Sequence, residues 1–198
     1  MYEYIKGNLV ALTPTYAVVE ASGVGYGLQI SLTTHGQIEG QERVKLFVHQ
    51  YVVQQDAPLF YGFATAVERD LFRMLISISG IGGNTARVML SSHQPLELVN
   101  IIANGDVVAI ERTKGIGSKT AQRVVLELKS KVVSLHGTQE VDGVEAPMTL
   151  NTSLEEAISA LTVLGFTRAA VERVARKIHS SRPTITAEEL IRESLANL

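Results

Sequence analysis

The chain has 198 residues and 45% apolar residues, which is typical of a globular protein with one large domain or two to three small ones. It contains no cysteine, which excludes disulfides and thiolate sites and favours a reducing cytoplasm, and no apolar run approaches the roughly 18 residues of a membrane span. The formal net charge of −2 argues against a chain that coats nucleic acid through charge along its whole length.

The first third of the chain has the pattern of short strands separated by turns. Five strands within about 60 residues predict a small closed barrel over residues 1–63, of the five-stranded OB-fold type. An SH3-like barrel or a small sandwich would give the same pattern. Glycines in the third strand predict a bulge or a sharp bend there. The predicted strands are Ile5–Leu12, Tyr16–Glu20, Val24–Ser31, Val44–Val53 and Leu59–Phe63.

Residues 64–136 change to the apolar period of helices and predict an all-α domain. Thr65 and Glu68 have the spacing of a capping box, while Pro95 is placed to open a helix and Gly105 to close it.

Residues 137–150 have no sustained period and hold two glycines, one proline and three acids, so they are interpreted as a flexible linker. Start signals at Ser153, Thr167 and Thr186 then predict three short helices, which form a small separate domain over residues 151–198.

An internal repeat is the most informative feature of the sequence. Gly80–Val88 reads GIGGNTARV and recurs 35 residues later as GIGSKTAQR in Gly115–Arg123. Two glycines around an isoleucine allow a tight turn between helices, with Ile81 and Ile116 directed into the core and the backbone amides directed outward. Such amides at a helix N-terminus bind phosphate without reading a base, so the repeat predicts sequence-independent DNA binding.

The repeat lies in the basic part of the chain. Residues 63–136 hold nine Lys or Arg and six Asp or Glu, whereas acids outnumber bases on both sides. Two helical hairpins whose glycines only permit close packing are the simpler alternative. A nucleotide-binding loop is not indicated, because Ser118 separates Gly117 from Lys119 and no strand precedes the turn. The candidate DNA-binding residues are Gly80, Gly82, Asn84, Thr85, Gly115, Gly117, Ser118, Lys119, Thr120 and Arg123.

The barrel, tandem hairpins, linker and three-helix tail, in this order and size, resemble the RuvA family of Holliday-junction-binding proteins. Gly23–Tyr26, Leu59–Phe63, both glycine turns and Leu164–Phe166 carry the resemblance, which covers essentially the whole chain. It implies a non-enzymatic, cytoplasmic subunit without a cofactor. This subunit would form a homotetramer, or an octamer of two tetramers, that holds a four-way DNA junction open and flat for recombination and repair.

The resemblance also implies partners and further sites. The tail would dock on the RuvB ATPase motor, and the RuvC resolvase would meet the protein at the shared junction. In relatives, the turn that corresponds to residues 54–58 forms an acidic pin, and Asp56 is the only acid of this turn here. In the first hairpin, Asn84 stands where a lysine is usual in relatives. A partner-binding patch in the tail would use some of Leu161, Leu164, Gly165, Phe166 and Leu195. The alternative is that all of these apolar side chains belong to the core of the tail.

Two other functions use the same features. A structure-selective nuclease or glycosylase would need clustered carboxylates or a lysine–aspartate pair beside a hairpin, and Asp106 and Glu111 are too few. The five histidines are far apart in the sequence, so a metal site is not expected. A protein-only adaptor would bind partners through the barrel and the tail.

Overall fold

A computed structural model describes residues 2–52, 58–137 and 152–198 of the chain. The chain divides into two compact units, one within residues 1–140 and one within residues 141–198. No helix within the described ranges is both long and apolar enough to cross a membrane. The strands are β1 Tyr4–Thr13, β2 Tyr16–Ala21, β3 Val24–Ile30, β4 Arg43–Tyr51 and β5 Leu59–Phe63. The helices are α1 Leu32–Ile38, α2 Ala66–Ile76, α3 Gly83–Ser92, α4 Pro95–Asn104, α5 Val107–Glu111, α6 Ser118–Leu128, α7 Thr152–Val163, α8 Arg168–Ser181 and α9 Ala187–Leu195, with a 3-10 helix at Val132–Gly137.

The first five strands form a closed barrel in the order β1-β2-β3-β5-β4. All neighbours are antiparallel except β3 and β5, which are parallel. Alternate side chains of each strand fill the interior, where Val19, Leu28, Leu46 and Val48 are completely buried. This topology confirms the predicted OB-fold barrel.

The bulge predicted in β3 is wrong. The pairing of β2 with β3 runs without a break, and the irregular register lies instead in β1, between Leu9 and Ala11. The glycine at 27 makes room for a neighbouring ring, because a β-carbon there would lie 2.0 Å from the Tyr16 hydroxyl oxygen. A close cross-strand approach therefore explains this glycine better than a bend does.

A buried carboxylate joins the barrel to the helices. Thr65 accepts a hydrogen bond from the Glu68 amide at 3.1 Å, as the capping box requires. The Glu68 side chain, however, accepts hydrogen bonds from Ser31 and Thr34 at the start of α1, a helix that the sequence did not predict. Burial raises the pKa of the Glu68 carboxyl, against the lowering effect of these hydrogen bonds. The carboxylate thus connects α2 to α1.

The last strand of the barrel takes part in the core of the central helices, whereas the barrel interior around Val19 and Leu28 is a separate cluster. Tyr61 and Phe63 at the end of β5 belong to the same buried cluster as Phe72 of α2, Met89 of α3 and Val124 of α6. Ring centroids of Tyr61 and Phe72 are 4.7 Å apart, and those of Phe63 and Phe72 are 4.9 Å apart. Because the aromatic rings of β5 interlock with α2, the helical hairpins are fixed against the base of the barrel.

The tail is a separate three-helix unit, as predicted from its start signals. Thr186 and Glu189 form a complete capping box at the start of α9, and α7 ends in a turn at Gly165, which has a φ of 100°. Its core contains Ile158 and Leu161 of α7, both buried. The observed barrel, helical-hairpin and tail architecture confirms the predicted fold class.

Candidate nucleic-acid interface

The two glycine turns have nearly the same backbone conformation. Gly80 and Gly115 lie in the left-handed region, with φ of 95° and 91°, where glycine is favoured because it has no β-carbon. Gly82 and Gly117 then precede α3 and α6 with φ, ψ of −90°, 172° and −91°, 167°. The sequence repeat is therefore a repeat of backbone geometry.

Neither α3 nor α6 has an N-terminal side-chain cap. The first amides of a helix have no intrahelical acceptor, so an uncapped N-terminus presents them to a ligand. One part of the prediction is wrong: the amides of Ile81 and Ile116 do not face outward, but donate to Ile78 and Thr113 at 3.0 and 3.1 Å. Both isoleucine side chains are buried in the core, as predicted. The amides left for an anion are those at the starts of α3 and α6.

Packing within the protein does not account for the glycines at 82 and 117. Both have negative φ angles that any residue adopts. A β-carbon on Gly117 would meet nothing within 4 Å, and one on Gly82 would only reach the Tyr51 hydroxyl at 4.0 Å. Ser, Thr, Asn or Asp would also cap the helix better than glycine does. The absence of side chains here favours close approach of a ligand to the backbone.

A hydrogen bond joins the two turns, which lie next to each other. An Arg123 Nη1 atom donates to the carbonyl oxygen of Ser79 at 3.1 Å, and a β-carbon on Gly80 would lie 3.8 Å from Thr120 Oγ1. The Nε atom of Arg123 also lies 3.9 Å from the Oε1 atom of Glu127. The structure therefore brings the two predicted sites together, and it gives Arg123 a bridging role that sequence spacing did not reveal.

The first turn is fixed to the barrel. A β-carbon on Gly83 would lie 2.6 Å from the Tyr61 hydroxyl oxygen, so this position admits only glycine without displacement of a buried ring. Arg87 donates to Asn84 at 2.8 Å, to Gln29 at 2.7 Å and to the Thr15 carbonyl at 3.1 Å. Arg87 thus orients Asn84 and brings the positive charge that Asn84 lacks.

The second turn is exposed and basic. Ser118 and Lys119 are exposed, and Thr120, like Thr85 in the first turn, is half-buried. Further cations lie along the same part of the chain, and all of them are exposed: Arg112, Lys114, Arg123, Lys129 and Lys131. The second turn therefore combines uncapped amides with exposed positive side chains, which is the arrangement that long-range attraction to a polyanion requires.

The tail presents a separate apolar patch. Leu164, Phe166 and Leu195 are 62%, 36% and 43% exposed, beside the exposed Gly165. Leu161 does not belong to this patch, because it is completely buried in the tail core. Val163, which sequence periodicity did not single out, is 85% exposed. Leu161 and Leu164 differ in burial because α7 ends at Val163, and the residues after it no longer follow the helical period.

Other predicted sites have different outcomes. Asp56, with Gln54 and Gln55, lies outside the described residues. Asp106 caps α5 by accepting from the Ala109 amide at 3.0 Å. Over the described ranges, no three His, Asp or Glu side chains form a group that could hold a metal ion.

A closed OB barrel joined to two equivalent helix-hairpin-helix turns, with a separate three-helix tail, defines a structural class of tandem helix-hairpin-helix proteins. Residues 1–62 match the family model described as RuvA N terminal domain, residues 72–130 match SAM-like helix-hairpin-helix tandem, and residues 152–198 match RuvA, C-terminal domain.

Similar full-length proteins carry the name Holliday junction branch migration complex subunit RuvA. Those of Flavobacterium psychrophilum and Christiangramia forsetii are 44% and 45% identical over 198 residues, and each alignment covers 100% of both chains. That of Bacteroides thetaiotaomicron is 42% identical over 202 residues, with the same coverage. The chain belongs to the RuvA family.

Proposed function

We propose that this protein is a non-enzymatic subunit that binds four-way DNA junctions by their shape and holds them open for branch migration. The observation that carries the proposal is the pair of matched, uncapped turns with glycines at 82 and 117 that packing does not require. Amides at these positions bind phosphate oxygens without contact to a base edge. The names of the relatives support the same function.

The proposed division of labour follows the parts of the chain. Residues 1–63 and 64–136 hold the junction, residues 137–150 act as a linker, and residues 151–198 recruit the motor. The ATPase is RuvB, in the cytoplasm, and RuvC meets the protein at the same junction. Four copies surround the junction, alone or with a second tetramer, so that Asp56 of each copy stands near the centre and repels phosphates.

The apolar patch supports the proposed role of the tail. Large apolar side chains are exposed at or just after the ends of α7 and α9, namely Val163, Leu164, Phe166 and Leu195. Such exposure on a small unit is typical of a protein-binding surface. In this proposal Leu161 stabilises the tail core and contacts no partner.

A gel-shift experiment with the full chain tests the proposed function. A synthetic four-way junction is compared with a linear duplex of the same sequence, with and without Mg²⁺. A junction-selective shift without cleavage supports the proposal. Cleavage products would instead identify a nuclease, and the absence of any shift would favour a protein-only adaptor.

The Asp56 assignment has its own test. Asp56→Lys changes the turn from repelling phosphate to attracting it, so we expect a larger change in junction opening than in duplex affinity. Fluorescence quenching between junction arms measures the first quantity, and anisotropy measures the second. Equal effects on both would contradict the proposed pin.

A further inference from the structure

The barrel carries its few cations on one face. Residues 1–62 contain only three Lys or Arg side chains against five acids, and all three cations are exposed. In the β1–β4 pair, Lys6 lies directly opposite Lys45, and Arg43 lies two residues further along, opposite Asn8. We call the outer surface formed by Tyr4, Lys6, Arg43, Lys45 and Phe47 the basic sheet face. An acidic segment thus presents a locally positive surface.

Fold stability does not explain this arrangement. Like charges directly opposite each other on a sheet are destabilising. Among the residues that the structure describes, neither Lys6, Arg43 nor Lys45 forms an ion pair. The nearest acids along the strands are Glu20 opposite Asn8, Glu42 preceding Arg43 and Glu3 preceding Tyr4. The Glu3 carboxylate is paired with Arg69 of α2. Three clustered cations that no acid neutralises favour an anionic ligand.

Aromatic rings lie between the cations. Tyr4 is opposite Phe47 in the β1–β4 register, and Lys45 Nζ lies 4.9 Å from the Tyr4 ring centroid and 4.8 Å from that of Phe47. Arg69 of α2 approaches the Phe47 ring at 5.2 Å. Tyr4 is 52% exposed, so much of its ring is available to a ligand. Cations that follow a backbone, with a ring on which a base stacks, are the pattern of single-strand binding.

The opposite sheet surface lacks these features. Strands 2 and 3 are the usual nucleic-acid face of an OB-fold. Here neither β2 nor β3 contains a Lys or Arg, β2 contributes an exposed acid in Glu20, and Gln29 of β3 is bonded to Arg87. Charge complementarity therefore directs a polyanion to the β1–β4 side of the barrel.

We propose that the basic sheet face binds a single DNA strand, with phosphates on Lys6, Arg43 and Lys45 and a base against Tyr4. The proposal rests on the proposed function for the choice of DNA as ligand, but it uses a surface different from the glycine turns. A protein that parts paired strands gains from a second site that holds an unpaired one.

The test measures binding of the full chain to a labelled oligothymidylate by fluorescence anisotropy over a series of KCl concentrations. The triple variant Lys6→Gln, Arg43→Gln, Lys45→Gln removes three phosphate contacts. We expect its affinity at low salt to fall at least about tenfold, and the slope of log affinity against log salt to fall in magnitude by about 2. Tyr4→Ala weakens binding about fivefold or more through lost stacking.

A matched control separates this site from general charge. Arg173→Gln, Arg176→Gln, Lys177→Gln removes three exposed cations from the tail and leaves oligothymidylate affinity within about twofold of the unchanged protein. An equal loss in both triple variants would overturn the proposal. Melting temperatures of the variants verify that each is folded.

The remaining outcomes are also decisive. If the unchanged protein binds the junction but not oligothymidylate, the proposed function stands and the basic sheet face is not a DNA site. If it binds neither, both proposals fail. If the barrel variant binds oligothymidylate normally but sediments in a different oligomeric state, the face is a contact between copies of this chain, and the inference is wrong.

Discussion

The two glycine turns have the same backbone but different surroundings. In the first, Gly83 packs against Tyr61 and Arg87 donates to Asn84, so the turn is held against the barrel and has a neutral side chain where the second turn has Lys119. In the second, Ser118 and Lys119 are exposed, and a β-carbon on Gly117 would meet nothing within 4 Å. The shared geometry leaves helix N-terminal amides uncapped in both turns, while the surroundings place the first turn against the barrel and give the second its exposed cation.

The difference also explains why the repeat is imperfect. Gly83 corresponds to Ser118, and only the first of these positions faces the barrel. Asn84 corresponds to Lys119, and only the first has an arginine donating to it. These two mismatches in sequence accompany contacts, with Tyr61 and with Arg87, that only the first turn makes.

The largest expected effect comes from blocking the amides of each turn in the same way. Gly82→Val and Gly117→Val introduce a branched side chain beside uncapped amides, at φ angles that valine adopts. Loss of charge-assisted hydrogen bonds lowers junction affinity by about 10- to 100-fold for each variant. Anisotropy titration with a four-way junction measures the effect.

The matched control is Gly36→Val, at an exposed glycine of α1 where a β-carbon meets nothing within 4 Å. It should bind the junction as the unchanged protein does. Normal binding by folded Gly117→Val would contradict the amide mechanism, and a loss confined to one turn would show that the two turns are not equivalent.

The next largest effect is on the free energy of unfolding, and we expect it to differ between the two turns. In Gly83→Ala the new methyl group meets the Tyr61 hydroxyl oxygen at 2.6 Å, while Tyr61 is held by Phe72. Overpacking of this kind lowers the free energy of unfolding by about 1–3 kcal/mol. Ser118→Ala, at the equivalent exposed position, changes it by less than about 0.5 kcal/mol.

Urea unfolding followed by tyrosine fluorescence measures both variants. Equal stabilities would mean that the first turn is not packed against Tyr61 as described.

A smaller effect is expected when the residues at positions 84 and 119 are exchanged, because one is neutral and the other is positively charged. Asn84→Lys adds a cation to the first turn, and Lys119→Asn removes one from the second. The slope of log junction affinity against log salt should become steeper by about 0.9 in the first variant and shallower by about 0.9 in the second. Unchanged slopes in both would place these side chains away from the DNA backbone.

The smallest expected effect is a pH dependence of the free energy of unfolding, which arises from Glu68 in the first hairpin. The carboxyl of Glu68 on α2 is buried against Ser31 and Thr34, and its pKa in the folded state is raised by burial. The folded protein therefore holds this proton more tightly than the unfolded chain does, so the free energy of unfolding decreases as pH rises from about 4.5 through the raised folded value. Glu68→Gln lacks this decrease.

Thermal melts of both proteins over this pH range make the comparison. Parallel stability curves would show that Glu68 does not titrate in this way. Junction affinity at neutral pH provides the control, because glutamine keeps the size of the side chain.

The strands, the glycine turns and the helix boundaries at Pro95 and Gly105 could be predicted because local rules determine them. The α1 helix could not, since it has only seven residues and includes Gly36 and two β-branched threonines that favour other conformations. The turns could be predicted because the conformation of a glycine turn depends on the residues of the turn itself. The α1 helix depends on Ser31 as its cap and on Glu68 from a helix that is distant in the sequence.

The candidate site shows the same limit. The repeat identified both turns and the burial of Ile81 and Ile116. Sequence spacing could not show that Arg123 bonds to Ser79, or that Leu161 is buried while Leu164 is exposed. These properties depend on which segments meet in the folded chain and on where a helix stops.

The Arg87 contacts have a mechanical consequence. Its Nη1 atom donates both to Gln29 in β3 and to the Thr15 carbonyl between β1 and β2, and Tyr16, the residue after Thr15, is paired with Gln29. Both hydrogen bonds therefore anchor α3 at one place on the barrel wall. Tension applied to the first turn reaches the barrel at this place, through a single side chain.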